Sequence, residues 1–147
     1  MSFTIRRATH EDKSGWLRMR QGLWPEAPIE YLNFDLDKRL ADSDYAVFVA
    51  SGVDGNLVAF VEAGLRDYGE GCETSPVGYL EAWYVDEHQR GQKLGRDLVH
   101  AAEQWAREKG CREMASDTWL DNESSIAAHL KLGYGEVERL VHFAKRL

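Results

Sequence analysis

Two carboxylates stand inside segments whose other residues are typical of buried strands. Glu81 lies in the middle of the apolar run Val77 to Val85, and Asp117 lies near the end of the segment Glu113 to Thr118. A buried carboxylate is unfavourable unless it is paired with a cation or serves a function. From the residues alone, both side chains are equally consistent with an internal ion pair and with a site that binds ammonium groups.

Aromatic side chains accompany the first of these carboxylates. Because side chains alternate along a strand, we expect Tyr79, Glu81 and Trp83 to point to the same side of the sheet. The face of an aromatic ring attracts cations. Carboxylates and rings on one surface would suit a small polycationic molecule, but the residues alone leave an internal ion pair equally open.

A polar loop between a strand and the longest helix is the clearest candidate for anion binding. The loop runs from His88 to Lys93 and contains Arg90 and Gly91. A helix start offers unpaired backbone N–H groups and the positive end of the helix dipole. With its glycine and cations, the loop predicts a cradle for a pyrophosphate, although many helices follow such loops and bind nothing.

The other reactive residue types show no pattern of their own. Cys72 and Cys111 form no CxxC pair, which indicates neither a zinc site nor a disulfide and favours two small buried hydrophobes. Four histidines show no metal-ligand spacing: His10, His88, His100 and His142. We therefore expect no bound metal.

Hydrophobic periodicity predicts the elements that position these residues. We expect strands at Phe3 to Arg7, Tyr45 to Ser51, Leu57 to Leu65, Val77 to Val85, Glu113 to Thr118 and Val137 to Lys145. We expect helices from Thr9 to Arg20, from Ile29 to Ala41, from Leu94 to a stop at Gly110, and from Glu123 to Leu132. This order predicts an α/β protein with a mixed central sheet and helices on both faces.

Composition limits the class of protein and of partner. The 147 residues suit one domain spanning 1–147, and 44% hydrophobic with 29% charged residues excludes a disordered chain. The formal net charge of −7 disfavours nucleic acid as a partner and suits a cationic one. The apolar runs are shorter than the roughly 20 residues of a membrane span. Because Met1 to Arg7 also lacks the apolar part of a signal peptide, we expect no membrane partner and a cytoplasmic location.

The order of elements and the loop after Val85 resemble the GNAT acetyltransferase superfamily. The pyrophosphate loop of that superfamily reads Arg or Gln, two residues, Gly, one residue, then Gly or Ala. Arg90 and Gly95 fit this pattern, whereas Lys93 stands where the first glycine belongs. We expect Lys93 to serve there with a negative φ, and Gly91 to supply flexibility two residues earlier.

A closer resemblance covers nearly the whole chain. It is carried by SPVGYLEAWYV (Ser75 to Val85), CREMASDTWLDN (Cys111 to Asn122), His129 to Arg139, Leu23-Trp24-Pro25 and Arg66-Asp67-Tyr68. These segments are similar to the aminoglycoside 6′-N-acetyltransferases. The resemblance implies the GNAT fold, in which the fourth and fifth strands splay apart and the pantetheine arm of acetyl-CoA lies in the gap. It also implies acetyl transfer to the 6′-amino group of aminoglycoside antibiotics, with resistance as the result, and a homodimer.

The resemblance also assigns residues to the site. Those implied to bind acetyl-CoA are Trp83, Tyr84, Val85, Arg90, Gly91, Gln92, Lys93, Leu94, Gly95, Arg96 and Asn122. Those implied to bind the aminoglycoside are Trp24, Tyr68, Glu81, Asp117 and Glu138. From the residues alone, Asn122 is equally natural as a helix N-cap, and Trp24 is more natural as a core residue.

The implied reaction needs three chemical roles. An oxyanion must be stabilised, the amine must lose a proton, and the leaving thiolate must gain one. The candidates are the Val85 backbone N–H, the carboxylates of Glu81 and Asp117, and His129. His129 stands at the position of the superfamily's helix tyrosine, and it is equally consistent with a partly buried histidine that has no catalytic role.

The residues leave two other functions open. One is acetylation of a different amine, such as a polyamine, a small metabolite or a protein N-terminus, because acidic pockets suit all cations. The other is a non-catalytic sensor of coenzyme A or of cations, for which Lys93 and His129 are the best support. An assay of thiol release with and without kanamycin separates the three functions.

Overall fold

The computed structural model describes residues 2–147, which form a five-stranded sheet flanked by helices. The strands are β1 (Thr4–Arg7), β2 (Tyr45–Ser51), β3 (Leu57–Arg66), β4 (Val77–Val85) and β5 (Met114–Ser116). The helices are α1 (Lys13–Leu23), α2 (Ile29–Asn33), α3 (Leu36–Ala41), α4 (Leu94–Glu108) and α5 (Glu123–Lys131). Strands β1 to β4 are antiparallel neighbours in chain order, and β5 joins β4 in parallel. The predicted mixed sheet is confirmed.

Helices cover both faces of the sheet, which explains why its central strands are continuously apolar. On one face, Leu98 and Ala102 of α4 pack against Val61 of β3. On the other face, Trp16 and Met19 of α1 pack in a second core cluster with residues of β2 and β3. Strands with both faces covered lose the simple alternation of polar and apolar residues. Within residues 2–147, no helix is long and apolar enough to cross a bilayer.

Most predicted elements are present with small changes in their ends. The first helix is preceded by a 3-10 turn at His10–Asp12 and continues past Arg20 to Leu23. The side chain of Asp12 accepts a hydrogen bond from the Thr9 backbone at 2.8 Å, as expected of the capping pattern. The predicted strand Glu113 to Thr118 is shorter and forms only β5.

A buried ion pair holds α1 against the sheet. Glu62 of β3 is 1% exposed, and its carboxylate accepts hydrogen bonds from Arg20 at 2.7 and 2.8 Å, from Trp16 Nε1 at 2.8 Å, and from the Tyr45 hydroxyl. Burial, together with the charge of Glu62, raises the pKa of Tyr45, so the phenol remains a donor. Every contact to this carboxylate comes from a donor, and α1, β2 and β3 are tied together at one point.

The same arginine divides the predicted helix Ile29 to Ala41 into α2 and α3. Arg20 Nη1 donates to the backbone carbonyl of Leu32 at 2.7 Å and to the carboxylate of Asp35 at 2.8 Å. Asp35 departs from helical geometry with φ −108°. The prediction of one helix is wrong because a distant cation takes the carbonyl of Leu32, in the last turn of α2. Hydrophobic periodicity carries no sign of that contact.

The predicted last strand, Val137 to Lys145, is also wrong for the single chain. Residues 132–147 are all described and contain no strand. From Val137 onward the large apolar side chains are exposed, Phe143 by 93% and Val141 by 67%. A strand needs a neighbour for its backbone hydrogen bonds, and this chain supplies none there.

Removing the charge of Glu62 should destabilise the protein strongly. In Glu62→Gln, an amide nitrogen would face donors, and Arg20 would lose its nearest carboxylate. We expect the free energy of unfolding to fall by about 3–5 kcal/mol, measured by urea titration. The exposed carboxylate of Asp37, which pairs with Lys13, provides the control: Asp37→Asn should leave the free energy of unfolding unchanged within experimental error. A loss below 1 kcal/mol in Glu62→Gln would contradict the assignment.

Candidate functional site

One extra residue in β4 decides which way its side chains point. Leu80 and Ala82 pair with consecutive residues of β3, so Glu81 between them has no partner and forms a bulge. Trp83 therefore packs against the core cluster beneath α4, while Tyr79 and Glu81 stay on the opposite face with Arg66. The prediction that Tyr79, Glu81 and Trp83 share one side is wrong for Trp83, because the bulge reverses the alternation.

Strands β4 and β5 separate after a short parallel ladder. The ladder pairs Gly78 with Met114, continues to Leu80 and Ser116, and ends there. Strand β4 continues to Val85 with its outer edge unpaired by any strand of residues 2–147. The predicted splaying of the fourth and fifth strands is confirmed, and it opens a gap lined by backbone groups.

The backbone of Trp83 and of Val85 faces this gap. The N–H of Asp86 donates to β3 at 2.8 Å, and the direction of hydrogen bonding alternates along an antiparallel strand. The N–H groups of Val85 and Trp83 therefore point away from β3, whereas that of Tyr84 points toward it. On the gap side, the Val85 carbonyl accepts a hydrogen bond from Arg90 Nε at 2.9 Å.

The two carboxylates singled out in the sequence lie on one surface. Arg66 donates two hydrogen bonds to Glu81, at 2.7 and 3.0 Å, and its Cζ lies 3.4 Å from the centroid of the Tyr79 ring. The Tyr79 hydroxyl in turn donates to Asp117. The internal ion pair that the sequence left open is thus formed by Glu81, and Arg66 with Tyr79 connects the two acids.

The protonation states of this cluster follow from its surroundings. Burial opposes the charge of Arg66, but its hydrogen bonds to Glu81 outweigh that effect and raise the pKa of the guanidinium. Burial raises the pKa of Tyr79, and the hydrogen bond to Asp117 raises it further. Arg66 therefore stays charged and Tyr79 stays a neutral donor near neutral pH.

The loop before α4 contains a lysine in an unusual conformation. Lys93 has φ 62°, in the left-handed region, so the expectation of a negative φ is wrong. Gly91 has φ 85° and supplies a second left-handed residue, as expected. The chain enters α4 through a conformation that glycine adopts freely and that costs another residue about 1–2 kcal/mol.

Helix α4 begins with backbone N–H groups that are free to bind a ligand. The first N–H bonded within the helix is that of Asp97, which donates to the Lys93 carbonyl at 3.1 Å. The three before it belong to Leu94, Gly95 and Arg96, and within residues 2–147 no side chain of the N-cap residue bonds to them. A 15-residue helix with an open N-terminus suits an anion.

Gly95 is fixed by the close approach of Trp83. A Cβ atom placed on Gly95 would lie 2.9 Å from the indole Nε1 of Trp83. The first turn of α4 therefore touches the strand that borders the gap. Only glycine permits this contact without a shift of one element.

The remaining loop residues implied to bind acetyl-CoA bond mainly within the loop. Gln92 donates from Nε2 to Gln89 at 3.0 Å, and Arg96 pairs with Asp97 at 2.8 Å. The side chain of Leu94 is 3% exposed and belongs to the core, which leaves its backbone N–H for a ligand. Asn122 Oδ1 accepts from the backbone of α5 at 3.1 Å, which confirms its N-cap interpretation.

The other three residues implied to bind the acceptor differ in exposure: one is half-buried and two are exposed. Trp24 is half-buried in the core cluster beneath α1, in agreement with the core interpretation. Tyr68 is 65% exposed, and Glu138 is exposed. Val137 lies 2.6 Å from the point that a Cβ on Gly71 would occupy, so the chain beside Glu138 contacts the loop that carries Tyr68.

His129 of α5 lies between the gap and the core. Its ring makes edge contacts with two aromatic rings, with centroid distances of 5.4 Å to Trp83 and 5.8 Å to Tyr134. Its Nε2 lies 2.7 Å from Ser116 Oγ, and its Nδ1 lies 2.7 Å from the backbone oxygen of Ser125. Within residues 2–147, no group of three histidines, cysteines or acids is arranged to hold a metal ion.

Sequence reasoning missed two side chains of this region. Arg66 was named only within the segment Arg66-Asp67-Tyr68, and no role was predicted for it. Its pairing with Glu81 depends on a cross-strand register that the bulge shifts. Ser116 gave no signal, because a serine at a strand end is ordinary. Ser116 comes close to His129 only when β5 and α5 pack together in the folded chain.

Comparison with known proteins places this geometry among acetyltransferases. The profile of the Acetyltransferase (GNAT) family matches residues 14–134. The chain is 46% identical over 143 residues to aminoglycoside N(6′)-acetyltransferase type 1 of Stenotrophomonas maltophilia, covering 95% of this chain and 91% of that protein. It is 40% identical over 139 residues to the protein of the same name from Serratia marcescens, covering 94% and 95%.

Solved structures agree with the sequence relatives. AAC(6′)-Iy in complex with the bisubstrate analogue CoA-S-monomethyl-acetylneamine superposes with a TM-score of 0.93 at 34% identity, covering 100% of both chains. The aminoglycoside 6′-N-acetyltransferase AAC(6′)-Ih from Acinetobacter baumannii has a TM-score of 0.91 at 33% identity, covering 99% of both chains.

Glycine at position 93 should stabilise the protein. Lys93→Gly removes the clash of a Cβ in the left-handed region, and we expect the free energy of unfolding to rise by about 1 kcal/mol in urea titrations. Gln92→Gly is the matched control, because Gln92 has no positive φ and the extra backbone freedom should lower stability by about 0.5–1 kcal/mol. Equal destabilisation by both variants would show that position 93 does not adopt the left-handed conformation.

Proposed function

The chain belongs to the GNAT acetyltransferase family, among the aminoglycoside N(6′)-acetyltransferases, and we propose that it transfers the acetyl group of acetyl-CoA to the 6′-amino group of aminoglycoside antibiotics, conferring resistance. One observation carries the proposal. The gap between β4 and β5 has two carboxylates at one side and the open N-terminus of α4 at its far end. A cationic acceptor and an anionic donor can therefore approach the same gap from different directions.

The residues around the gap fit acetyl-CoA. The free N–H groups at the start of α4, with the cations of Arg90, Lys93 and Arg96 nearby, suit its pyrophosphate. The gap-facing backbone of Trp83 and Val85 suits the amides of the pantetheine arm, because it leaves strand-like donors and acceptors unpaired. Asn122 caps α5 through Oδ1 and keeps its NH₂ group as a donor. When bound, acetyl-CoA supplies an acetyl group activated as a thioester.

Spacing along β4 separates two roles for its backbone. An extended strand advances about 3.3 Å per residue, which puts Trp83 about 7 Å and Val85 about 13 Å from Glu81. The acetyl carbon must lie close to an amine held at Glu81. We therefore assign the Trp83 N–H to the acetyl carbonyl oxygen, where it stabilises the developing oxyanion, and Val85, the residue expected from the sequence, to the pantetheine arm.

The acidic surface suits the ammonium groups of the acceptor. Glu81 and Asp117 are separated by the Tyr79 ring, so a carboxylate, an aromatic face and a second carboxylate follow one another. Tyr68 and Glu138 are exposed and, with Trp24, complete the five residues that the resemblance implies for the acceptor. Glu81 takes the first proton of the reacting ammonium, directly or through water, and so delivers the neutral amine that attacks.

Arg66 holds the contacts that the acceptor needs. Its guanidinium takes both oxygens of Glu81 and covers the Tyr79 face, which are the features that would hold an ammonium group. Arg66 is 44% exposed at its side chain, so it can swing outward into water. We assign to Arg66 the role of a resident cation that a polycationic acceptor displaces and that a weakly charged molecule does not.

The other two functions are less well supported. Acetylation of an unrelated amine suits the acidic surface, but the relatives described above bear one substrate class in their names. A non-catalytic sensor drew support from Lys93 and His129. Lys93 nevertheless adopts the glycine-like conformation, and His129 is hydrogen-bonded at the edge of the gap.

Two finer parts of the proposal concern assembly and location. We propose a homodimer in which a second copy covers the C-terminal segment, because Val137, Leu140, Val141 and Phe143 expose apolar side chains there. The predicted strand Val137 to Lys145 would then form against the partner. We propose the cytoplasm as the place of reaction, because acetyl-CoA is available there.

The position of acetylation tests the function most directly. The 6′-amine is a primary amine on a flexible exocyclic carbon, so it reaches into a narrow gap more easily than an amine fixed to a ring. Kanamycin should gain one acetyl group, at the 6′ nitrogen, as read by NMR of the product. An analogue with hydroxyl in place of that amine should bind without turnover. Acetylation of a ring-attached amine, or of spermidine alone, would support the other-amine function, and no thiol release with any amine would support the sensor.

Removing the resident cation should improve acceptor binding. In Arg66→Met, Glu81 and the Tyr79 face lose their competitor, and the KM for kanamycin should fall by up to about fivefold, the equivalent of about 1 kcal/mol for a part-exposed ion pair. The KM for acetyl-CoA should not change. Arg66→Lys keeps the charge but loses the two-point contact, and it should show an intermediate KM.

A second substitution separates two explanations for the effect of Arg66: competition with the acceptor for Glu81, and simple repulsion between Arg66 and the cationic acceptor. In Glu81→Gln, kcat/KM for kanamycin should fall about 10- to 150-fold through loss of a charge-assisted hydrogen bond. Adding Arg66→Met to that variant should bring no further improvement, because the competing pair is already gone. A higher kanamycin KM in Arg66→Met would show that Arg66 supports the acceptor instead of competing with it.

A further inference from the structure

The hydrogen bonds of His129 fix its tautomer. Nδ1 lies 2.7 Å from the backbone oxygen of Ser125, and a carbonyl oxygen can only accept, so Nδ1 carries the proton. In the neutral ring, Nε2 then has a lone pair, and the hydroxyl of Ser116 at 2.7 Å donates to it. The neutral ring therefore carries no proton at Nε2, and the lone pair of Nε2 faces Ser116.

The surroundings hold the imidazole in that orientation. The edges of Trp83 and Tyr134 meet the His129 ring at interplanar angles of 85° and 87°. Tyr134 is itself anchored by a hydrogen bond from its hydroxyl to Glu103 at 2.6 Å. Packing on both sides and a backbone acceptor hold the ring in place, so that Nε2 stays directed at Ser116.

Ser116 stands where the gap begins. It is the last residue of β5, it pairs with Leu80, and the strands diverge immediately beyond it. The next residue, Asp117, belongs to the acidic surface, so alternation puts Ser116 on the opposite face with His129 and Trp83. Its hydroxyl thus lies against the imidazole at the point where β5 leaves β4, and the imidazole ring also contacts the side chain of Trp83.

We propose that Ser116 is a catalytic residue that relays protons between the reacting atoms and His129, a role that rests on the proposed acetyl transfer. As the bond from the amine nitrogen to the acetyl carbon forms, Ser116 Oγ accepts a proton from that nitrogen and passes its own proton to Nε2. When the bond between the acetyl carbon and sulfur breaks, sulfur keeps the electron pair. Nε2 then returns its proton to Oγ, and Oγ delivers a proton to sulfur.

The proton count closes over one turnover. One proton leaves the acceptor's ammonium before attack, by way of Glu81 to water. The second travels from nitrogen through Ser116 to His129 and back through Ser116 to sulfur. The products are an amide and a free thiol, and the serine and histidine regain their starting protonation. One pair of residues thereby serves as base and then as acid.

A matched pair of substitutions isolates the hydroxyl. Threonine and valine have nearly the same shape, both suit a strand, and only threonine keeps the hydroxyl. In single-turnover experiments with kanamycin, Ser116→Thr should transfer the acetyl group within about threefold of the wild-type rate, and Ser116→Val about 100-fold more slowly, the lower end for general acid–base catalysis. Adding His129→Gln to Ser116→Val should cost little more, because both remove one relay.

A measurement independent of activity tests the contact itself. In ¹⁵N NMR of the free protein, His129 should show the Nδ1–H tautomer with a hydrogen-bonded Nε2. The Nε2 resonance should keep that position in Ser116→Thr and shift to that of an unbonded nitrogen in Ser116→Val. Lys131→Ala, an exposed residue at the end of the same helix, should change neither the spectrum nor the rate. Calorimetry should find unchanged coenzyme A binding in all of these variants.

The outcomes separate this inference from the function on which it rests. If the wild-type protein releases no thiol with kanamycin, the proposed function fails. If the wild type is active and Ser116→Val matches Ser116→Thr in single-turnover rate, the relay is refuted. If Ser116→Val does not fold, Ser116→Ala replaces it in the same comparison, and a rate equal to that of Ser116→Thr refutes the relay in the same way.

Discussion

The bulge at Glu81 is the constraint on which the site depends. One extra residue in β4 reverses the side-chain alternation, so Glu81 remains on the face of Arg66 and Tyr79 while Trp83 turns toward α4. The indole then reaches the first turn of that helix, where only Gly95 leaves room for it. A single strand thereby serves an acidic surface on one face and an apolar wall on the other.

The buried carboxylate of Glu62 stands opposite this bulge and fixes the position of β3 against α1 and β2. Glu62 pairs with Ala82, the residue that follows the bulge. Its oxygens take donors from α1 and β2, including both nitrogens of the Arg20 fork and the Trp16 indole. A slip of β3 by one residue would leave these donors unsatisfied in the core, which is costly. Buried ion pairs add little net stability, but this one selects one register.

The sequence allowed the frame of the fold to be predicted, but not its irregularities. Periodicity located β2 and β4 with their observed ends, and the two carboxylates stood out because they interrupt apolar runs. The bulge, the break between α2 and α3 and the pairing of Ser116 with His129 arise from contacts between distant segments, which local patterns do not encode. Lys93 has a positive φ, against the expectation, because the path of the chain into α4 determines this angle and the residue type does not.

The separation of the two faces also has an electrostatic reason. Ser116 and Asp117 are neighbours in sequence but serve opposite sides of the sheet. An acceptor with several ammonium groups needs fixed carboxylates, yet a carboxylate beside the leaving sulfur would repel the negative charge that develops there. A neutral imidazole reached through a hydroxyl can take and return a proton without adding such a charge. In the proposed mechanism, alternation at the end of β5 would therefore keep cation binding and proton transfer on opposite sides of the sheet, where they do not oppose one another.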